Sequence, residues 1–252
     1  MKKVTLAIRG GGVKIPAIGV LQAFEENNIK VAQVSGTSIG AIIATLVAIE
    51  APSDKIEYLV KKYVVDYSNA TILRGGKGSK IIEDTVNKQC DFLKFKDVKK
   101  PLYIVANQGG LWNPRSFIFG RDITPEVTVG EDCRASCSFP FLYERYGINI
   151  SGKKIKFFDG GIAMNPYIPD NNDKGDTVSV LVTFQKNKDN MRSRYKNAWL
   201  IPEERADFLI KPYIGKMGSL GTLKDIELSR LLGYNETLSS FIIKNVDLYV
   251  RF

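Results

Sequence analysis

Two strand, glycine turn and helix units near the start of the chain predict an α/β fold. The first runs from Val4–Ile8 through Gly10, Gly11 and Gly12 into an amphipathic segment, Ala17–Asn27. The second runs from Val31–Val34 through Gly36, Ser38 and Gly40 into the uninterrupted apolar stretch Ala41–Ile49. The third observation is size: 252 residues, 44% hydrophobic and 25% charged, suffice to bury one full core. Residues 1–252 are therefore read as a single domain.

Taken in order, MKKVTLAIR begins like a secretion signal, but its apolar run is only Val4–Ile8 and Arg9 stops it, which makes it a first strand. The glycines that follow, with Lys14, can cradle negative charge, because backbone N–H groups approach closely there and the next helix adds its dipole. Such a cradle serves a nucleotide phosphate or an oxyanion. The spacings G-x-x-x-x-G-K-[ST] and G-x-G-x-x-G are both absent. An oxyanion role requires the first two strands to be parallel neighbours, which brings both turns to one carboxyl edge. Three glycines can also simply permit a close chain crossing.

In the second turn, Gly36 and Gly40 flank Ser38 at the two places where any Cβ would collide across a sharp strand-to-helix bend. The bend lifts the Ser38 hydroxyl out of the sheet and points the helix start at whatever it attacks. The plainer alternative is a glycine turn joining a strand to its helix. Composition restricts the chemistry further. The chain has no histidine. A His-based serine triad, an imidazole metal site and a Cys–His pair are excluded, and a general base must be a carboxylate, a lysine or a terminal amine.

Lys55–Tyr67 has Ile56, Leu59, Val60, Tyr63 and Val64 at helical spacing, a stripe suited to core packing and, as an alternative, to a membrane surface. Arg74–Lys80 reads as a basic loop before a helix at Ile81–Cys90, and Pro101–Gln108 as a buried strand paired with Arg115–Phe119. Thr128–Ser138 reads as a helix of small residues, and Ile155–Phe158 as a strand that stops at Asp159. Asp159 is the candidate base: burial behind Phe157 and Phe158 raises a carboxyl pKa toward a useful range. Asp159 and Gly160 can equally make only a hairpin turn. Thr177–Phe184 and Ala206–Pro212 read as strands, Gln185–Asn197 as a polar loop and Thr222–Tyr234 as a closing helix.

The balance of 36 basic and 27 acidic residues, a net +9, favours anionic partners, including acidic lipid headgroups. No nucleic-acid module is present, and no nucleic-acid partner is expected. Clusters such as Lys94, Lys96, Lys99 and Lys100, or Lys186, Lys188, Arg192, Arg194 and Lys196, read as solvated faces. The three cysteines, with Cys133 and Cys137 four apart, suggest reduced buried thiols and a cytoplasmic setting. The longest apolar segment, Ile39–Ile49, falls far short of the roughly 20 residues that span a bilayer. Membrane contact is thus expected to be peripheral.

Gly10–Gly12 with Lys14, then Gly36-Thr37-Ser38-Ile39-Gly40, then Asp159-Gly160-Gly161 followed by Asn165 and Pro166, resemble the patatin-like phospholipase family in order and context. ASCSFPF at Ala135–Phe141 and ADFLIKP at Ala206–Pro212 extend the resemblance over nearly the whole chain. It implies a three-layer α/β/α sandwich with a central, mostly parallel sheet. It implies a Ser38/Asp159 dyad supported by Gly160 and Gly161, an oxyanion hole at the backbone of Gly11 and Gly12, and hydrolysis of phospholipid or other lipid acyl esters with no metal or cofactor. In one departure, Ile15 and Pro16 follow Lys14 where the family has a glycine. A thioesterase, an acyltransferase, a Ser38/Lys14 dyad and a non-catalytic lipid-binding module remain as alternatives.

Overall fold

The computed structural model describes residues 3–12, 15–74, 79–140, 142–162, 166–169, 177–183, 206–214 and 222–242. Eight strands form one sheet in the order β5-β6-β3-β2-β1-β7-β8, with β4 on the second side of β3. The strands are β1 (Lys3–Ile8), β2 (Lys30–Thr37), β3 (Leu102–Gly110), β4 (Asn113–Phe119), β5 (Tyr146–Ile150), β6 (Lys153–Asp159), β7 (Thr177–Val182) and β8 (Phe208–Ile210). β3, β2, β1, β7 and β8 run parallel, and β4, β5 and β6 are antiparallel to their neighbours. This is the expected α/β class, a central and mostly parallel sheet flanked by helices.

Helices α1 (Ala17–Glu26), α2 (Ile39–Ala48), α3 (Ser53–Arg74), α4 (Lys80–Gln89), α5 (Val129–Ser136) and α6 (Leu223–Glu236) supply the layers. α2 is buried on every side, which explains why its sequence lacks a polar face. Alternation along β1 splits the sheet chemically. Val4, Leu6 and Ile8 join the main core, while Ala7 packs with Leu181 and Ile168 in a second cluster on the opposite face. α1 and α6 approach closely, since a Cβ on Gly233 would lie 2.2 Å from the Pro16 carbonyl oxygen.

Most expected elements stand within a few residues of their predicted bounds. Ile56, Val60 and Tyr63 are buried, so the stripe on α3 packs into the core, and the helix continues past Tyr67 to Arg74. β5, a strand the sequence does not announce on its own because its alternation of Tyr146, Ile148 and Ile150 is so short, forms a hairpin with β6 that closes on Ser151 and Gly152, both at positive φ. Cys90, Cys133 and Cys137 are free and buried, and burial pushes the Cys90 thiol up to about 12. Lys94 and Lys96 both reach Glu126 on the surface. Among the described residues no helix is long and apolar enough to cross a membrane. Lys14, residues 75–78 of the expected basic loop between α3 and α4, Phe141, Asn165 and the loop at Gln185–Asn197 with its basic cluster lie outside the described residues.

Candidate active site

The third strand assembles the site. β2 pairs with β3 from Leu102 to Val105, and β6 pairs with β3 from Ala106 to Gln108. Both lie on the side of β3 away from β4, because β4 pairs with residues in each stretch. β2 runs parallel to β3 and β6 antiparallel, so their carboxyl ends meet head to head at Val105 and Ala106. Thr37 ends one strand and Asp159 the other. The chain therefore delivers Ser38 and Asp159 to a single point, although they stand 121 residues apart.

Ser38 occupies φ 55°, a strained left-handed conformation for a residue with a Cβ, between the end of β2 and the first turn of α2. The crowding expected of its neighbours is present. A Cβ on Gly36 would lie 2.1 Å from the Gly40 carbonyl oxygen, and one on Gly40 would lie 2.4 Å from that of Ile8. A Cβ on Gly10 would lie 2.5 Å from the Ser38 Cβ, so the first glycine turn sits directly against the serine. Gly12 has φ 63°, which favours glycine. Ile15 is buried and Pro16 leads straight into α1, so the departure at these residues forms the entry to that helix.

The Ser38 hydroxyl donates to Asp159 Oδ2 at 2.7 Å, and the Gly161 amide donates to Oδ1 at 2.7 Å. Asp159 is 4% exposed. Burial pushes its pKa up to about 6, while the two donors restrain the rise. An aspartate held there is ionised at neutral pH and still basic enough to take a proton. Gly160 makes the approach possible, since a Cβ would lie 2.1 Å from the Val105 carbonyl oxygen.

Three further side chains hold this arrangement, and the sequence reading assigns none of them a role. Ser136, at the end of α5, accepts from the Ser38 amide at 2.8 Å and donates to the Val105 carbonyl at 2.6 Å. Asn107 Nδ2 donates to the carbonyls of Asp159 at 2.7 Å and Gly160 at 3.0 Å, and Ser116 donates to Asn107 Oδ1. The Asp159 amide donates to the Ser138 carbonyl at 2.9 Å. The detectable signals are a lone polar Asn107 inside the apolar run LYIVAN and the alternating serines of ASCSF. Cys137 lies beside both Ser38 and Asp159, and burial raises its thiol pKa, which keeps it protonated.

Residues 6–170 match the family model described as patatin-like phospholipase. The chain is 30% identical over 179 residues to the cUMP-AMP-activated phospholipase of Escherichia coli, a match covering 64% of this chain and 55% of that protein. In structure it is similar to VipD from Legionella pneumophila, with TM-score 0.54 and 14% identity over 94% of this chain and 66% of that one. It is also similar to ExoU in the ExoU–SpcU complex of Pseudomonas aeruginosa, with TM-score 0.55 and 17% identity over 93% of this chain and 50% of that one. At these identities the structural likeness concerns the fold. The chain thus spans about half the length of the phospholipase and of ExoU.

Proposed function

The chain belongs to the patatin-like phospholipase family, and from that premise we propose that it is a serine acyl hydrolase releasing fatty acids from phospholipids or lysophospholipids. The observation that carries the reading is the 2.7 Å hydrogen bond from Ser38 Oγ to a buried aspartate whose pKa stands at about 6.

As the Ser38 oxygen bonds to the ester carbonyl carbon, its proton passes to Asp159 Oδ2. The carbonyl oxygen takes up the negative charge beside the backbone of Gly10 to Gly12, a role supported by the contact of Gly10 with Ser38. Lys14 follows these glycines in sequence and is assigned to the same role by the family resemblance. The tetrahedral species collapses, the ester C–O bond breaks, and the departing alcohol takes the proton from Asp159. Water then gives a proton to Asp159 and attacks the acyl-serine. The fatty acid leaves, and the proton returns to Ser38. Ser136 and Asn107 act as positioning residues, one on the serine backbone and one on the aspartate strand end. Ser35 and Thr37 present short polar side chains on the sheet face away from the main core, near the same strand end.

The test is mass spectrometry of a mixed lipid extract incubated with the protein and with Ser38→Ala. Free fatty acid and lysolipid accumulate only with the protein as it stands, and a fluorophosphonate probe labels it at Ser38. Equal release by Ser38→Ala refutes the reading. Acyl chains appearing on an added alcohol rather than as free acid turn it toward acyl transfer.

A further inference from the structure

Beyond Val105, where β2 ends, β3 runs on through Ala106–Gly110 and turns into β4 at Leu111 and Trp112. At about 3.4 Å per residue, this carries the hairpin tip roughly 17 Å above the edge that holds Ser38. β6 descends to the same edge from the opposite direction, with Phe157 opposite Gln108 and Asp159 opposite Ala106. Counting back along both strands brings Lys153 level with Trp112. Two hairpin tips therefore project together from the side of the sheet where the candidate nucleophile sits.

Their chemistry is unlike that of a solvated turn. Trp112 is 100% exposed, an unusual cost for the largest apolar side chain. On the same two hairpins stand Arg115, Lys153, Lys154 and Lys156, all exposed, and just before β5 stands Arg145, whose guanidinium donates to the Gly109 carbonyl and stacks 5.0 Å over the Phe158 ring. Apart from Asp159, buried at the end of β6, Glu144 is the acidic residue described on these hairpins and the segment leading to β5. Phe139, 46% exposed, follows Ser138 at the same edge, next to the carbonyl that holds Asp159. An indole at the end of a projection, with cations along the two hairpins that carry it, suits the headgroup layer of an anionic bilayer.

We propose that the β3–β4 and β5–β6 hairpin tips dock the protein on anionic lipid bilayers, with Trp112 inserted at headgroup level and the five cations against lipid phosphates. This rests on the acyl hydrolase reading, to which it adds the form of the substrate: lipid presented in a charged surface rather than as free monomers. Ester turnover of a soluble substrate does not require the tips.

The test uses the full chain carrying Ser38→Ala for binding, so that vesicles stay intact, and the unaltered chain for turnover. Sedimentation with phosphatidylcholine vesicles containing phosphatidylglycerol is expected to retain the protein, and sedimentation with phosphatidylcholine alone is not. Trp112→Ala lowers the partition coefficient by about tenfold, and Lys153→Glu with Lys154→Glu and Lys156→Glu lowers it by roughly a hundredfold or more. Turnover of anionic vesicles by these variants falls in parallel, while turnover of a soluble short-chain ester stays within about twofold. Unchanged vesicle binding by both variants overturns the docking surface. So does a loss of binding to a single-stranded RNA while vesicle binding persists. Trp112-dependent binding without hydrolysis of any ester supports the docking and refutes the enzyme reading. Hydrolysis of the soluble ester with no vesicle binding does the reverse.

Discussion

Asp159 and Asp132 are both buried, at 4% and 0% exposure, yet their surroundings give them opposite chemistry. Asp159 ends a strand where the chain turns, so the Gly161 amide and the Ser38 hydroxyl both reach its carboxyl oxygens. Asp132 lies at the end of the first turn of α5, where the neighbouring amides are taken by Asn87 and Thr128, and neither of its oxygens meets a donor among the described residues. Burial pushes both pKa values up, but donors stop the first at about 6 while the second rises well above the ordinary range. Burial alone therefore makes a carboxylic acid that stays protonated. Burial opposed by two hydrogen bonds makes a base that works near neutral pH.

The largest expected effect follows directly. Asp159→Asn keeps the shape and removes the basic oxygen, and ester turnover should fall by about 10² to 10⁴-fold, the usual worth of a general base. Asp132→Asn makes the same exchange at the other site and should leave turnover within about twofold, since Asp132 touches no reacting group. Both are measured on one soluble ester. Full activity in Asp159→Asn turns attention to a serine–lysine pairing through Lys14. A comparable loss in Asp132→Asn erases the distinction between the two carboxyls.

The next effect is the pH profile. The working form of Asp159 is the ionised one, so kcat/KM should be level above pH 6 and fall about tenfold per unit below it. The inflection at about 6 reports the free protein. A profile that climbs through pH 8 or higher points to an amine as base. One that stays level to pH 4 means that the carboxyl is not raised at all, which removes its claim to the role.

How much of this was readable from the chain follows the range of the forces involved. The serine turn is local at Gly36, where an added Cβ would strike the Gly40 carbonyl inside the bend, so the string G-T-S-I-G reports that much of its own geometry; Gly40 itself is demanded by the Ile8 carbonyl of the neighbouring strand. Asp159 is half local. Gly160 and Gly161 mark a tight turn, but the Val105 carbonyl that requires Gly160 comes from another strand. Ser136 and Asn107 are wholly non-local, joined to their partners across 98 and 52 positions, and a buried serine or asparagine looks the same before folding whether it positions a nucleophile or fills a turn. β5 alternates Tyr146, Ile148 and Ile150 with Gly147 and Asn149, but five residues with a glycine and an asparagine among them are too short a run to tell from a loop, and pairing with β6 makes it a strand. Asp132 gave no warning, since an acid in the first turn of a helix is ordinary and its burial depends on the sheet beneath.

The smallest effect concerns stability, and its sign separates the two acids. An unfolded aspartate ionises near 3.8, and both folded values lie above that. Each carboxyl thus takes up a proton on folding. Stability is fullest below pH 3.8 and declines as pH rises, by at most about 1.4 kcal/mol per unit per group, until the folded pKa is passed. For Asp159 the decline ends at about 6; for Asp132, raised by burial with no donor to restrain it, it extends to higher pH. Asp159→Asn should therefore gain on the unaltered protein only between about pH 4 and 6 and keep a constant offset above that. Asp132→Asn should go on gaining above about pH 6, whatever fixed cost the buried amide adds. Urea midpoints measured across that upper window distinguish the two. An offset for Asp132→Asn that does not change with pH there would mean that the helix carboxyl ionises as freely in the fold as out of it, and the contrast between a satisfied and an orphaned acid would collapse.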